Sequence, residues 1–257
     1  AWLVAFFNSL QEKKLKTTKM AITYFIYFNC PPLNGKHRYN YSQWSTKNTE
    51  LKNRVGSSTL IGVDNNTKAL SFLSISPSRG GIRALSNSQT TPEDAGIYFN
   101  RDYSTYMGVS DPDNNLSMIK KSTDELGMTR IIYKQMYGGV PVFGAQTAVH
   151  LNGNNEVISY EGNTVPNIQL NTVPTETQNN ALEIAIAEHQ RLNGNIIDRS
   201  KLQSNVELEI LNKNLFILSE DTTTYLTWKV SLKNNPKLND VYFVNAHSSE
   251  VVYHYSN

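Results

Sequence analysis

The 257-residue sequence contains one cysteine, Cys30. A single thiol excludes an internal disulfide framework and a cysteine-rich zinc site. Long apolar runs are also missing: none reaches the roughly 18 residues that a membrane-spanning helix needs. Histidine is scarce, with five residues: His37, His150, His189, His247 and His254. None precedes glutamate, so the H-E-x-x-H helix of zinc hydrolases is absent. No Gly-x-Gly occurs, which excludes the dinucleotide-binding fingerprint. Gly139 and Gly144 have P-loop spacing, but Ala145 stands where that loop needs lysine. There is no G-x-S-x-G elbow for a nucleophilic serine. Net charge is only +2, and no basic-aromatic stripe points to nucleic acid. What remains is a chain with 39% apolar and 18% charged residues, enough to build a buried core.

The charge is unevenly placed. Residues 1–55 hold nine lysines and arginines against two acidic residues, whereas 56–257 hold fifteen against twenty. That shift separates a leader at 1–55, expected to be unfolded, from the rest. Within it Lys13, Lys14, Lys16 and Lys19 precede an apolar run from Met20 to Phe28, the order found in secretory signals. Thr23, Tyr24 and Tyr27 interrupt the run and no small-residue cleavage site follows. Two readings stay open, a signal-like leader and a plain disordered or misread stretch.

Beyond residue 56 the pattern alternates between strands and two well-marked helices. Residues 57–76 suit one or two strands around Asp64-Asn65-Asn66, and Pro77–Gly81 reads as a linker. Thr91, Pro92 and Asp94 form a capping-box start for a helix over 92–106, with Gly108 as its stop. Arg130–Tyr137 is rich in β-branched and aromatic residues. Alternation over Ala145–Leu151, the turn Asn152-Gly153-Asn154-Asn155 and Glu156–Glu161 predict a hairpin, with Asn-Gly supplying positive φ. A second helix is expected at 176–192, capped by Thr175 and Gln178, with Leu182, Ala185, Ile186 and His189 on its apolar stripe. Strands then follow at Leu226–Leu232, Val241–Asn245 and Val251–Tyr255, the last two around His247-Ser248-Ser249. The expected fold is α+β, with two small helix-plus-antiparallel-sheet units in tandem, joined near Pro166–Pro174.

Candidate chemistry is thin. His189 reads as a core histidine on a helix stripe, and His247 and His254 flank a turn rather than a ligand spacing. Asp111/Asp113 and Asp124/Glu125 are the carboxylate pairs; solvated loops are the simpler reading, Ca²⁺ contact or acid–base work the alternative.

The segment Asp124–Gly144 is the most distinctive. A strand carrying Tyr133 and Gln135 leads into Gly139-Val140-Pro141-Val142-Phe143-Gly144, and the next strand carries Val149-His150 and ends at Asn152-Gly153. Physically, Gly138-Gly139 permits positive φ and Pro141 lacks a donor, so the residues predict a bent β corner with Gly144 restarting the strand. In order and spacing they resemble the propeptide domain of fungalysin/thermolysin-type secreted zinc metalloproteases. Downstream, Pro174-Thr175 with Ala181–Ala185, and then Val241–Val252, are similar to a PepSY-like unit and its closing hairpin. Asn245, Ser248 and Ser249 depart from that pattern, and serine in place of glycine makes positive φ costlier.

The resemblance covers residues 80–257 and carries several expectations. It implies a propeptide-like domain at 56–165 and a PepSY-like domain at 170–257. It implies a non-enzymatic pro-region, an intramolecular chaperone and inhibitor of a catalytic domain following Asn257. The partner would be a thermolysin-like metalloprotease catalytic domain, in cis or in trans, with no nucleic acid and no stable membrane span. Zinc and calcium would reside only in that catalytic domain, and the protein would be secreted or periplasmic. Tyr133, Gln135, Gly139, Val140, Pro141, Val142, Gly144 and His150 would act as structural or partner-contact residues. The tail Tyr253, His254, Tyr255, Ser256 and Asn257 would run toward the catalytic cleft. The alternatives are a stand-alone exported protease inhibitor or binding module, and an enzyme built on the carboxylate pairs.

Overall fold

The computed structural model describes residues 41–83, 91–194, 196–217, 221–234 and 238–256, with side chains from residue 47 onward. Cys30, His37 and the basic-apolar run of the leader lie outside the described residues, as does Asn257. The packing below lies within Ser45–Asn257. In order come α1 (Tyr41–Val55), β1 (Leu60–Val63), β2 (Leu70–Ser74), α2 (Pro92–Met107) and the single-turn α3 (Pro112–Asn115). Then follow β3 (Leu116–Thr123), β4 (Thr129–Tyr137), β5 (Val140–Leu151), β6 (Val157–Asn163) and α4 (Gln178–Asn193). Last are β7 (Gln203–Asn212), β8 (Thr224–Asn234), β9 (Leu238–Asn245) and β10 (Val251–Ser256). The fold is α+β, and its ten strands form one largely antiparallel sheet.

Helix α2 starts where its chemistry says it should. Thr91 Oγ1 accepts from the Asp94 backbone N–H, and the Asp94 carboxylate accepts from the Thr91 N–H. Gly108 ends the helix at φ 69°, in the left-handed region. Its buried face, Ala95, Phe99, Tyr103 and Met107, packs on Leu73, Ile131, Tyr133, Val149 and Tyr160. This sheet half runs in the order β1-β2-β6-β5, with β4 on β5 and β3 outermost on β4.

Helix α4 covers the other half, β7-β8-β9-β10, through Ala181, Ala185 and Ile186 against Val230, Leu232, Tyr242 and Val244. Its cap is Thr177, whose hydroxyl accepts from the Asn180 N–H, rather than the expected Thr175. The Thr175 backbone instead donates to the Ala246 carbonyl, holding the helix entry to the end of β9. His189 is a core histidine, as its place on the stripe suggests: Nδ1 lies 2.9 Å from Asp240 Oδ2 and 3.1 Å from the Tyr242 hydroxyl.

Two further expectations need correction. The boundary at 55 falls too late, because Tyr41–Val55 is a helix whose Leu51 and Val55 belong to the core of the first half. Arg54 fastens it to α2 by an ion pair with Asp102 at 2.8 Å and by lying 4.5 Å over the Tyr103 ring. The basic residues of α1, Lys47, Lys52 and Arg54, are exposed and share only their composition with the leader; the two buried apolar positions were too few to register. In the β5–β6 hairpin, positive φ falls on Asn155 at 58° rather than on Gly153. Asn152 Oδ1 accepts from the N–H groups of Asn154 and Glu156, and the carbonyl of Asn152 accepts from the Asn155 N–H. The side chain thus organises a longer turn than the two-residue Asn-Gly type.

Replacing Leu51 with alanine is expected to cost about 2–5 kcal/mol, the penalty for emptying a buried leucine site. Urea unfolding of the full chain measures it, and a change within about 0.5 kcal/mol would remove α1 from the core.

Candidate functional site

Tyr137 pairs with Val140 across Gly138 and Gly139, whose φ values of 55° and 79° meet the demand of a tight two-residue hairpin. Gly138 is further constrained by space, since a Cβ there would come within 2.9 Å of Thr172 Oγ1. After this turn the β4–β5 ladder is interrupted. Lys134 pairs with Gln146 and Met136 with Pro141, so Gln135 stands alone opposite Val142–Ala145. Gly144 takes φ 75° inside the interruption. Val142 turns from β4 to make the parallel bridge with Ile210 of β7. The expected bent corner is therefore present, although β5 runs through it unbroken from Val140 and does not restart at Gly144. Val140, Val142 and Ala145 fill the core between the sheet halves with Val165, Ile168, Ile210, Leu226 and Ala246.

The bulge frees Gln135 for a second task. Its Nε2 donates to the Val165 carbonyl at 2.8 Å, and its Oε1 accepts from the Val165 N–H at 2.9 Å. The amide replaces a strand for one residue and satisfies two buried backbone groups. Alongside, Thr164 Oγ1 donates to the Met107 carbonyl and the Asn167 N–H donates to the Gly108 carbonyl. The exit of β6 is thereby tied to the end of α2.

Tyr133 lies under α2, where Gly96 admits it: a Cβ at Gly96 would meet the hydroxyl at 2.3 Å. Burial pushes the Tyr133 phenol up to about 12, and its hydroxyl has no hydrogen-bond partner among the described residues. His150 sits on the other face of the sheet. With Arg130 it flanks Glu161, at 3.5 Å and 2.5 Å. Hydrogen bonding from His150 and then from Arg130 overcomes the cost of burial and holds the Glu161 carboxyl down at about 2.

The expected tail is a strand. Tyr253–Ser256 belong to β10 and pair with Phe243–Asp240 of β9, past a register shift between Val251 and Tyr253. Ser249, on the turn before it, takes φ 61°, the conformation a glycine would have supplied more cheaply. His254 stacks on Tyr242 with ring centres 5.6 Å apart, while Tyr253 and Tyr255 pack on Phe243 across the sheet.

That second face was not singled out from sequence. Leu211, Val241 and Phe243 are buried there under Phe143, Val252, Tyr253 and Tyr255. Lys229 lies among them, 2.8 Å from Glu207, 3.2 Å from Glu209 and 5.7 Å from the Phe143 ring centre. Burial pulls the Lys229 ammonium down, but the two carboxylates hold it above its ordinary value. Alternation of Glu207, Glu209 and Lys229 along β7 and β8 was the available signal.

The carboxylate pairs close local structure. Asp113 pairs with Arg101, Asp111 accepts from Asn114, and Asp124 accepts from the N–H groups of Leu126 and Met128. Among the described residues no three His, Cys, Asp or Glu side chains are placed to hold a metal. No helix among them is long and apolar enough to cross a membrane.

Residues 114–164 match the family model described as the Fungalysin/Thermolysin Propeptide Motif. The match spans β3 through β6 and contains all eight of the expected motif residues. The chain is 36% identical over 91 residues to "Thermolysin" of Alicyclobacillus acidocaldarius subsp. acidocaldarius, covering 35% of this chain and 16% of that protein. It is 34% identical over 101 residues to "Thermostable neutral protease NprT" of Geobacillus stearothermophilus, covering 39% and 17%. It is 26% identical over 129 residues to "Bacillolysin" of Brevibacillus brevis, covering 48% and 23%. The matched stretch is less than a quarter of each relative's length. Over residues 114–164 the chain thus carries a propeptide motif of the fungalysin/thermolysin type.

Two outcomes follow from this geometry. Gln135→Leu leaves both backbone groups of Val165 buried and unpaired, and is expected to cost about 2–5 kcal/mol in urea unfolding. The depressed carboxyl of Glu161 contributes stability that is present above its ordinary value of 4.5 and lost as pH falls toward about 2. Unfolding curves across that window should slope less steeply for Glu161→Gln than for the wild type.

Proposed function

We propose that this chain, built around a thermolysin-type propeptide motif, acts as the pro-region of a thermolysin-like metalloprotease precursor. In this reading it templates the folding of the catalytic domain and then covers its cleft. The observation that carries the reading is the coincidence of the family match with β3–β6, the strands that form the bent corner and its clamp. A slowly folding protease domain gains from a preformed surface that lowers its folding barrier, and an exported protease is harmless while that surface stays bound.

The wider reading follows from the same premise. The chain is arranged as a propeptide-like unit over 56–165, extended backward by α1, and a PepSY-like unit over 170–257. The packing of α4 on β7–β10 supports the second unit. The protein is exported, to the periplasm or outside the cell. The hydrolytic zinc, and calcium, reside in the catalytic domain, and this chain acts by shape rather than by a reaction of its own.

Purified full chain mixed with a mature thermolysin-type enzyme is expected to slow peptide hydrolysis. Added to that enzyme after denaturation, it is expected to raise the yield of active refolded protein. If neither hydrolysis nor refolding yield changes, the reading fails.

A further inference from the structure

Three strands, β1, β3 and β10, have a strand neighbour on one side only among the described residues. A free edge presents unpaired N–H and C=O groups, and soluble proteins guard such edges with brevity, lysine, proline or bulges. Strand β1 has four residues and a register shift. Strand β3 carries Lys120 and Lys121 beside its own shift. Strand β10 is guarded least. Its sequence Val-Val-Tyr-His-Tyr-Ser holds no lysine, proline or glycine, and its bulge lies at the start, leaving Tyr253–Ser256 in regular register.

A groove adjoins the start of this strand. It has a volume of about 440 Å³ and is lined by Ile184, Ala187, Glu188 and Arg191 of α4 with Ser249 and Val251. Ile184, Ala187 and Val251 give it apolar walls. Glu188 and Arg191 pair through two hydrogen bonds of 2.7 Å, so the rim carries no net charge. An edge strand flanked by a helix is the arrangement through which a sheet accepts an added peptide strand.

We infer that β10 and the groove receive an extended, uncharged segment of the catalytic domain, which adds to the sheet as a further strand beside β10. Alternate side chains of that segment enter the groove against Ile184 and Ala187, and the others lie beside Tyr253 and Tyr255. The backbone edge specifies an extended partner, since only another strand satisfies a row of alternating donors and acceptors. The absence of charge along β10 and the cancelled pair at the rim favour an uncharged segment over a charged one. The inference rests on the propeptide reading and names the contact that reading leaves open.

The test uses the full chain and a thermolysin-type enzyme silenced by replacing its general base. Hydrogen exchange of the β10 amides is expected to slow when the silenced enzyme binds. His254→Lys with Ser256→Lys guards the edge, and Ala187→Trp fills the groove. Each change is expected to weaken binding about tenfold or more while the urea midpoint holds. Unchanged β10 exchange in a formed complex, or undiminished binding by both variants, would overturn the inference and leave the propeptide reading standing. Absence of any binding by the wild type would remove that reading and the inference with it. Self-association of the wild type through β10, dissolved by the lysine pair, would make a second copy the occupant and equally overturn it. Should a variant unfold, the exchange measurement on the wild type decides alone.

Discussion

One strand cannot keep an unbroken ladder with both halves of the sheet, and β5 is asked to serve both. Its C-terminal stretch pairs with β4 and β6, while Val142 near its start bridges β7. The change of partner requires local loss of pairing, a residue tolerant of positive φ, and a way to satisfy whatever the bend leaves open. Gly144 supplies the second and Gln135 the third. Val140, Val142 and Ala145 make the hand-over apolar, so the core between the halves closes over it.

The inward polar groups keep their places by partnership. Gln135 is buried because it exchanges two hydrogen bonds with Val165. Lys229 is half-buried, held by two carboxylates and an aromatic ring. His189 is buried because Asp240 and Tyr242 meet it. Each would be costly alone, and each fixes the relative placement of two elements distant in sequence.

Much of this was legible in the sequence because it is local. The Thr91–Asp94 cap, the Gly138-Gly139 turn, the stripe of α4 and the corner at Pro141 and Gly144 are each written within a few residues. What escaped depends on contacts across the chain. Helix α1 looked like part of a basic leader because only Leu51 and Val55 reveal its buried side. The helix cap shifted from Thr175 to Thr177 because the end of β9 claimed Thr175. The role of Gln135 depends on Val165, thirty residues onward, and no local pattern announces such a pair. The aromatic and ionic face of β7–β10 assembles from five separate strands, β5 among them. The last strand, expected at Val251–Tyr255, was found by its alternation, but not the register shift that opens it.

Ser249 gives the last hairpin a built-in weakness. A side chain held at φ 61° is disfavoured by about 1 kcal/mol or more relative to glycine, and the register shift at Val251 shortens the ladder that must compensate. Fraying therefore starts at this corner more readily than in the central strands, and it spreads along β10 only by uncovering Leu211, Val241 and Phe243. A segment that unzips first is also the one a protease cuts first. The same serine that loosens the hairpin thus marks where cleavage of the folded chain would begin.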